Sequence, residues 1–128
     1  MHNKKCEPTE SELEILQILW AHGPSAVRQV NEKLNLKREV GYTTTLKIMQ
    51  IMTEKGYVTR DTKSRTHIYH SAVKEKETQT SLLNDFIQKA YRGSAMRLVM
   101  QALGQQDATP EELDELKKLI AEMDKKKS

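Results

Sequence analysis

The 128-residue sequence contains a single cysteine, Cys6, and no apolar run near the length of a membrane span. One thiol cannot form an intrachain disulfide, and it cannot by itself make a thiolate metal site. The N-terminal residues lead into no apolar signal-peptide core. These absences argue against a disulfide scaffold, a cysteine-based metal centre and a membrane-spanning protein. The sequence predicts a soluble, cytoplasmic protein without direct membrane binding.

Catalytic arrangements are also missing from the sequence. The only close pair of histidines is His67 and His70, and side chains three residues apart on a strand point to opposite faces. Acidic residues cluster where helices are predicted to begin, and there the helix dipole favours carboxylates without any catalytic role. No phosphate-cradling glycine loop is present. We therefore expect no enzyme activity, no cofactor and no metal site.

The composition leaves room for a core under a very polar surface, because 37% of the residues are hydrophobic and 30% are charged. The length fits one domain, or one small domain with an appendage. The net charge of +3 is unevenly distributed along the chain. Residues 33–65 carry 8 Lys and Arg against 3 Asp and Glu, whereas residues 74–128 carry 10 of each. A basic segment of this kind is typical of a protein that binds a polyanion.

Three helices are predicted in the first half of the chain. Thr9 and Glu12 have the capping-box spacing, and residues 23–24, Gly-Pro, end the helix that follows. Ser25 is predicted to cap a second helix, whose apolar residues Val27, Val30 and Leu34 recur at i, i+3 and i+7. A third helix follows within residues 40–55, and Gly56 is placed to end it.

The third helix has an apolar back and a polar front. Thr45, Met49 and Met52 fall on one side of it together with Ile48, and the opposite side is polar. Short polar side chains and lysine can hydrogen-bond to base edges, and leucine can contact a thymine methyl group. An ordinary amphipathic surface helix has a similar pattern. The candidate DNA-binding residues of this helix are Thr43, Thr44, Leu46, Lys47 and Gln50.

Beyond Gly56 the pattern becomes extended. Residues 57–60 and 66–70 are rich in β-branched and aromatic residues, and a polar, basic turn lies between them. Three short helices followed by a β-hairpin are the order of a winged helix-turn-helix. The candidate phosphate or minor-groove contacts of the wing are Arg60, Lys63 and Arg65. Two alternatives remain open: a winged helix that docks on protein, and a repressor of another class that senses a metal or small ligand directly.

From Lys74 onward the sequence is helical again, and Thr109 begins another capping box. The apolar faces of these helices are too few to enclose a core of their own, so we expect them to pack against a second copy of the chain. The predicted organisation is a DNA-binding domain in residues 1–73 and a helical dimerisation region in residues 74–128. The candidate dimer contacts are Leu82, Phe86, Val99, Leu116 and Ile120.

Several motifs resemble the penicillinase-repressor family of the BlaI/MecI/CopY type. They are residues 13–20 (LEILQILW), 23–24, 27–30, 42–44 (YTT) and 54–58 (EKGYV), with Arg65 and Tyr69 in the wing. The resemblance is close over residues 9–72 and rests on helical layout beyond them. It implies a mainly α fold with a small β-hairpin wing. It also implies a bacterial repressor that binds a palindromic operator as a homodimer, through the third helix and the wing, with interlocked C-terminal helices.

The sequence departs from that family where its known triggers act. The resemblance implies a membrane-linked sensor protease as a partner, which cuts an Asn-Phe bond, but residues 101–102 at the aligned position are Gln-Ala. Copper-responsive members carry C-terminal Cys-x-Cys pairs, and this chain has no cysteine after Cys6. Leu46 and Ile51 also replace residues that are usually charged. The partners expected are operator DNA and a second copy of the chain, a membrane sensor protease stays open as a third partner, and the inducing signal is left open.

Overall fold

The computed structural model describes residues 7–105 and 107–127, which group into two compact units, one up to Asn84 and one from Asp85 onward. Cys6 and His2 lie outside the described residues. The elements in chain order are α1 (Glu10–His22), α2 (Val27–Leu34), α3 (Tyr42–Lys55), β1 (Val58–Asp61), β2 (Ile68–Ser71), α4 (Glu75–Tyr91), α5 (Ala95–Gln105) and α6 (Pro110–Lys127).

Helix α1 begins and ends where the sequence predicts. The Glu12 backbone N–H donates to Thr9 Oγ1 at 3.2 Å, and the Thr9 N–H donates to Glu12 Oε1 at 2.9 Å, so the capping box is complete. At the other end Gly23 has φ 84°, and its N–H donates to the Leu19 carbonyl. The left-handed backbone at this position favours glycine.

The predicted role of Ser25 as the cap of α2 is wrong. The N-cap residue is Ala26, and the Gln29 side chain accepts a hydrogen bond from the Ala26 N–H at 2.8 Å. Ser25 is extended and pairs with Tyr69 through two backbone hydrogen bonds of 3.1 and 2.8 Å. Its hydroxyl donates to the Gly23 carbonyl. Ser25 therefore forms an isolated β-bridge beside the hairpin, and α2 begins two residues later, at Val27.

Helix α3 packs its predicted apolar side into the core. Thr45, Met49 and Met52 are buried, and Gly56 ends the helix in the left-handed conformation, as expected. The core of this unit joins all three helices to the hairpin. Its buried members are Ile15, Leu16, Leu19, Val27, Val30, Leu34, Val40, Met49, Met52, Tyr57, Val58 and Tyr69.

The two strands form an antiparallel hairpin in which Arg60 is opposite Tyr69 and Asp61 is opposite Ile68. Strand β1 is exposed after Val58, whereas Tyr69 in β2 is buried and carries the hairpin against the helices. Three helices and a hairpin in this order form a winged helix-turn-helix, and the mainly α fold with a small β-hairpin wing is confirmed. Within the described residues no helix is both long and apolar enough to cross a membrane.

The second unit is helical. A left-handed pair, Arg92 at φ 51° and Gly93 at φ 86°, separates α4 from α5. Tyr91 donates its hydroxyl to Gln101 Oε1 at 3.0 Å, and its ring meets Phe86 edge to face. The predicted capping box at Thr109 is present, since Thr109 and Glu112 exchange two hydrogen bonds at the start of α6. Many large apolar side chains of this unit are exposed.

Candidate nucleic-acid interface

The polar front of α3 is exposed to solvent. Thr43, Thr44, Lys47 and Gln50 are all exposed, and Leu46 is half-buried with part of its side chain against the core. Base-reading residues must project from a helix that is itself held firmly, because a shift of an ångström breaks hydrogen-bond geometry. The contacts at the two ends of α3 provide that support.

Two asparagines of α2 and its C-terminal turn fix the N-terminal end of α3. The Asn31 Nδ2 donates to the Val40 carbonyl at 3.0 Å and to Thr45 Oγ1 at 2.9 Å. Asn35 exchanges two hydrogen bonds with the backbone of Val40, at 2.9 and 3.1 Å. The side-chain amides of Asn31 and Asn35 therefore hold the connection between α2 and α3 through the backbone of Val40.

An ion pair anchors the C-terminal end of α3 to α1. Lys55 Nζ lies 2.8 Å from Glu12 Oε2, and the Glu12 side chain is only 4% exposed. The same carboxylate completes the capping box of α1. The hydrogen bond to Glu12 raises the pKa of Lys55, because it stabilises the charged ammonium. Glu12 therefore links the start of α1 to the end of α3.

The wing is held beside the helix-turn-helix by the Ser25–Tyr69 pairing. This pairing joins β2 to the segment that leads into α2, so the hairpin cannot move independently of that helix. In the turn, the Lys63 N–H donates to Asp61 Oδ1 at 2.9 Å and leaves the Lys63 side chain exposed. Arg60 and Arg65 are exposed as well.

A groove of about 520 Å³ lies between the start of α2, the exposed side of α3 and the wing. We call it the wing groove. Apolar, polar and cationic side chains line it together. The lining residues are Ala26, Val27, Arg28, Tyr42, Leu46, Gln50, Arg60, Arg65, Thr66, His67 and Tyr69.

The wing groove is cationic. Three guanidiniums line it, those of Arg28, Arg60 and Arg65, and no acidic residue does. In the ranges that the structure describes, none of the three is in an ion pair, whereas Arg38 is paired with Glu14 and Lys55 with Glu12. Unpaired guanidiniums around a groove attract phosphate groups, which they can bind through two parallel hydrogen bonds.

The structure brings four of the predicted site residues together. Leu46, Gln50, Arg60 and Arg65 line the wing groove. Thr43, Thr44 and Lys47 lie on the adjoining exposed surface of α3, and Lys63 lies in the turn of the wing.

Sequence reasoning missed Arg28, Tyr42 and His67. Arg28 is the second residue of α2, and the sequence gave no indication that α2 begins beside the wing. Tyr42 precedes Leu46 and Gln50 by four and eight residues, and that spacing could have placed it on the same side of α3.

Comparisons with known proteins identify the family. The family model of the penicillinase repressor matches residues 8–122. The chain is 24% identical over 120 residues to the methicillin resistance regulatory protein MecI of Mammaliicoccus sciuri, covering 94% of this chain and 98% of that protein. It is 28% identical over 115 residues to the transcriptional regulator BlaI of Mycobacterium tuberculosis, covering 86% and 80%.

A solved structure shares the fold of the first unit. It is the Bacillus licheniformis BlaI monomeric form in complex with the blaP half-operator, with a TM-score of 0.50 and 19% identity over 58% of this chain and 90% of that one. The match of the family model extends over most of the chain, including the helical second unit. The chain therefore belongs to the penicillinase repressor family, whose members are transcriptional repressors and not enzymes.

Proposed function

We propose that this chain is a sequence-specific transcriptional repressor that binds a palindromic operator as a homodimer. The observation that carries the proposal is the wing groove, which is lined by three arginines and no acidic residue and lies beside the exposed polar face of α3. A surface that combines cations for phosphates with short polar side chains for base edges is what a major-groove reader needs.

The two kinds of contact are assigned to different elements. Thr43, Thr44, Leu46, Lys47 and Gln50 face the bases, because they are the accessible residues of the recognition helix. The wing residues Arg60, Lys63 and Arg65 bind phosphates or enter the minor groove. The B. licheniformis relative was solved on a half-operator, and two half-sites related by a two-fold axis suit a dimeric protein.

The second copy is proposed to bind through the helices beyond the wing. Phe86 and Ile120 are each 52% exposed, and Val99 is 40% exposed, although all three are large apolar side chains. Leu82 and Leu116 are half-buried. Large apolar residues left exposed on three successive helices are typical of a surface that binds another protein chain. We propose that residues 1–73 bind DNA and that residues 74–128 form the dimer.

Repression follows when the dimer occupies its operator. A dimer on a promoter palindrome blocks access of the polymerase, and a signal that weakens the dimer or its grip on DNA restores transcription. In relatives that respond to β-lactams, the family resemblance implies cleavage by a membrane-linked sensor protease. Here the aligned bond, between Gln101 and Ala102, lies inside α5 and lacks the aromatic residue. We propose that another signal releases this chain, or that cleavage occurs at another bond.

The experiment that tests the DNA assignment compares Lys47→Ala with Arg65→Ala. A lost base contact costs on the order of 1–3 kcal/mol and acts mainly on the preferred duplex, whereas a lost phosphate contact weakens all duplexes and reduces the salt slope by about one. Binding is measured on selected and random duplexes at several salt concentrations. Lys33→Ala, at an exposed residue of α2 that does not line the wing groove, removes a cation elsewhere in the first unit and serves as the control. Full binding by both interface variants contradicts the assignment.

The dimer is tested with Ile120→Lys, compared with Ala121→Lys. Both residues are exposed on α6 and both changes add one positive charge, but Ala121 is turned away from the apolar side of the helix. Sedimentation of the full-length protein at micromolar concentration should show a dimer for the wild type and for Ala121→Lys. Ile120→Lys should shift it toward monomer and weaken binding to a palindrome. A monomeric wild type refutes the proposed assembly.

A further inference from the structure

The exposed surface of α3 includes two neighbouring stripes. Tyr42, Leu46 and Gln50 follow one another at intervals of four residues and line the wing groove. We call these three residues the wing-side stripe. Thr43 and Lys47 form the adjoining stripe and do not line the groove. The first stripe is apolar over two of its three residues, whereas the second is polar.

Tyr42 stands out within the wing-side stripe. It is the first residue of α3, 51% of it is exposed, and it does not belong to the hydrophobic core. Its hydroxyl has no hydrogen-bond partner among the residues that the structure describes. Core packing therefore gives no reason for a large aromatic side chain here. The N-terminal residues of a recognition helix are the ones that contact base edges.

The charge of the wing groove indicates what lies next to Tyr42. Since Arg28, Arg60 and Arg65 line the groove and no acidic residue does, the group that suits it is a sugar–phosphate backbone. Bases of the same strand then turn their major-groove edges toward the wing-side stripe. The C5 methyl of thymine is the apolar group at that edge, and glutamine can bind adenine through two hydrogen bonds.

We propose that Tyr42 is a specificity-determining residue: its ring, together with Leu46, packs against a thymine methyl group in each half of the operator, next to the base that Gln50 reads. The inference rests on the proposed function, because it names what the same surface recognises. It adds Tyr42 to the residues of α3 that are proposed to read bases.

The test begins with full-length protein and a pool of randomised 30-bp duplexes, from which the preferred sequence is selected. Each thymine of that sequence is then replaced in turn by uracil, which removes only the methyl group. At one position in a half-site, uracil should weaken wild-type binding about fourfold, the effect of one buried methyl group. The measured quantity is the ratio of the two dissociation constants for thymine and uracil.

The variants assign this ratio to a side chain. Tyr42→Ala should bring the ratio at that position close to one, while Tyr42→Phe, which keeps the ring, should preserve it. Leu36→Ala removes an apolar side chain that is 80% exposed and outside the wing groove, so its ratio should equal that of the wild type. The ratio compares two duplexes bound by the same protein preparation. A lower fraction of active protein therefore does not change it.

Two results overturn the inference and leave the proposed function standing. One is a preferred duplex at which no thymine-to-uracil change matters, and the other is an unchanged ratio in Tyr42→Ala. Failure of the pool to yield any preferred sequence overturns both the inference and the proposed function.

Discussion

Asn31→Asp is the substitution that most directly tests how α3 is held, because it preserves the shape of the side chain and removes its donor. The Asn31 Nδ2 donates to the Val40 carbonyl and to Thr45 Oγ1, and Thr45 is fully buried. A carboxylate places an acceptor against the Val40 carbonyl, 3.0 Å away in the native protein. The Thr45 hydroxyl already donates to the Gly41 carbonyl at 3.3 Å, so it can turn and donate to the new carboxylate only by giving up that hydrogen bond.

The expected cost is two hydrogen bonds and one acceptor left facing another in a half-buried site, about 3 kcal/mol in total at pH 7. Protonation of the introduced carboxyl restores a donor toward Val40. Its pKa in the folded state is therefore raised above the unfolded value of about 3.9. The penalty is complete above the raised pKa and shrinks as the pH falls through it, because the folded state then binds the extra proton.

Urea unfolding at pH 7 and pH 4 measures this effect, and protein concentration is kept equal throughout because assembly contributes to stability. The single tryptophan, Trp20, reports on the first unit, since its indole N–H donates to Ser71 Oγ and to the Val73 carbonyl. Asn84→Asp, the same change at an exposed residue, is the control. A penalty that is equal at both pH values, or no larger than that of the control, refutes the reasoning.

The remaining predictions concern the two ion pairs of the first unit and the cleavage site. Glu12→Gln keeps the acceptor of the capping box and removes the charge opposite Lys55, so we expect lower stability toward urea at neutral pH. Since the pKa of Lys55 is raised, the difference from wild type should persist into alkaline pH and be lost as the pH rises through that raised pKa. The hydrogen bond from Arg38 lowers the pKa of Glu14, so this pair should stabilise the fold above the unfolded pKa of Glu14 and lose that effect as the pH falls through the lowered value. Arg38→Gln should therefore make stability depend less on pH in that acid range. An unaltered acid unfolding curve counts against the pair. The bond between Gln101 and Ala102 should survive exposure of host cells to cell-wall antibiotics, because alanine offers a protease pocket no aromatic side chain. The intact mass of the protein recovered from treated and untreated cells measures this, and a fragment ending at Gln101 contradicts it.

Much of the fold follows from local sequence signals. The Thr9 and Thr109 capping boxes each depend on two residues three positions apart, and Gly56 ends α3 through its own backbone freedom. These features need no knowledge of distant parts of the chain. The apolar repeat of α3 likewise predicted which of its residues are buried.

The rest depends on tertiary contacts that local patterns do not encode. Ser25 has a good capping side chain, but its backbone pairs with Tyr69, 44 positions away, and that pairing shifts the start of α2. The wing groove has the same origin, since Arg28 and Arg65 meet only because the hairpin folds back beside α2. Tyr42 was missed because only the folded hairpin shows that its side of α3 lines the same groove as the wing.

The residues that orient α3 are separate from those proposed to read DNA. Asn31 and Asn35 hold its first turn, and the Glu12–Lys55 pair holds its last. None of these four residues lines the wing groove, and the predicted base-reading residues take no part in their hydrogen bonds. Exposed residues such as Lys47 can therefore be exchanged at little cost to folding, because surface substitutions usually change stability by about 0.5 kcal/mol or less. Such a division allows chains of low sequence identity to keep one fold while they recognise different operators.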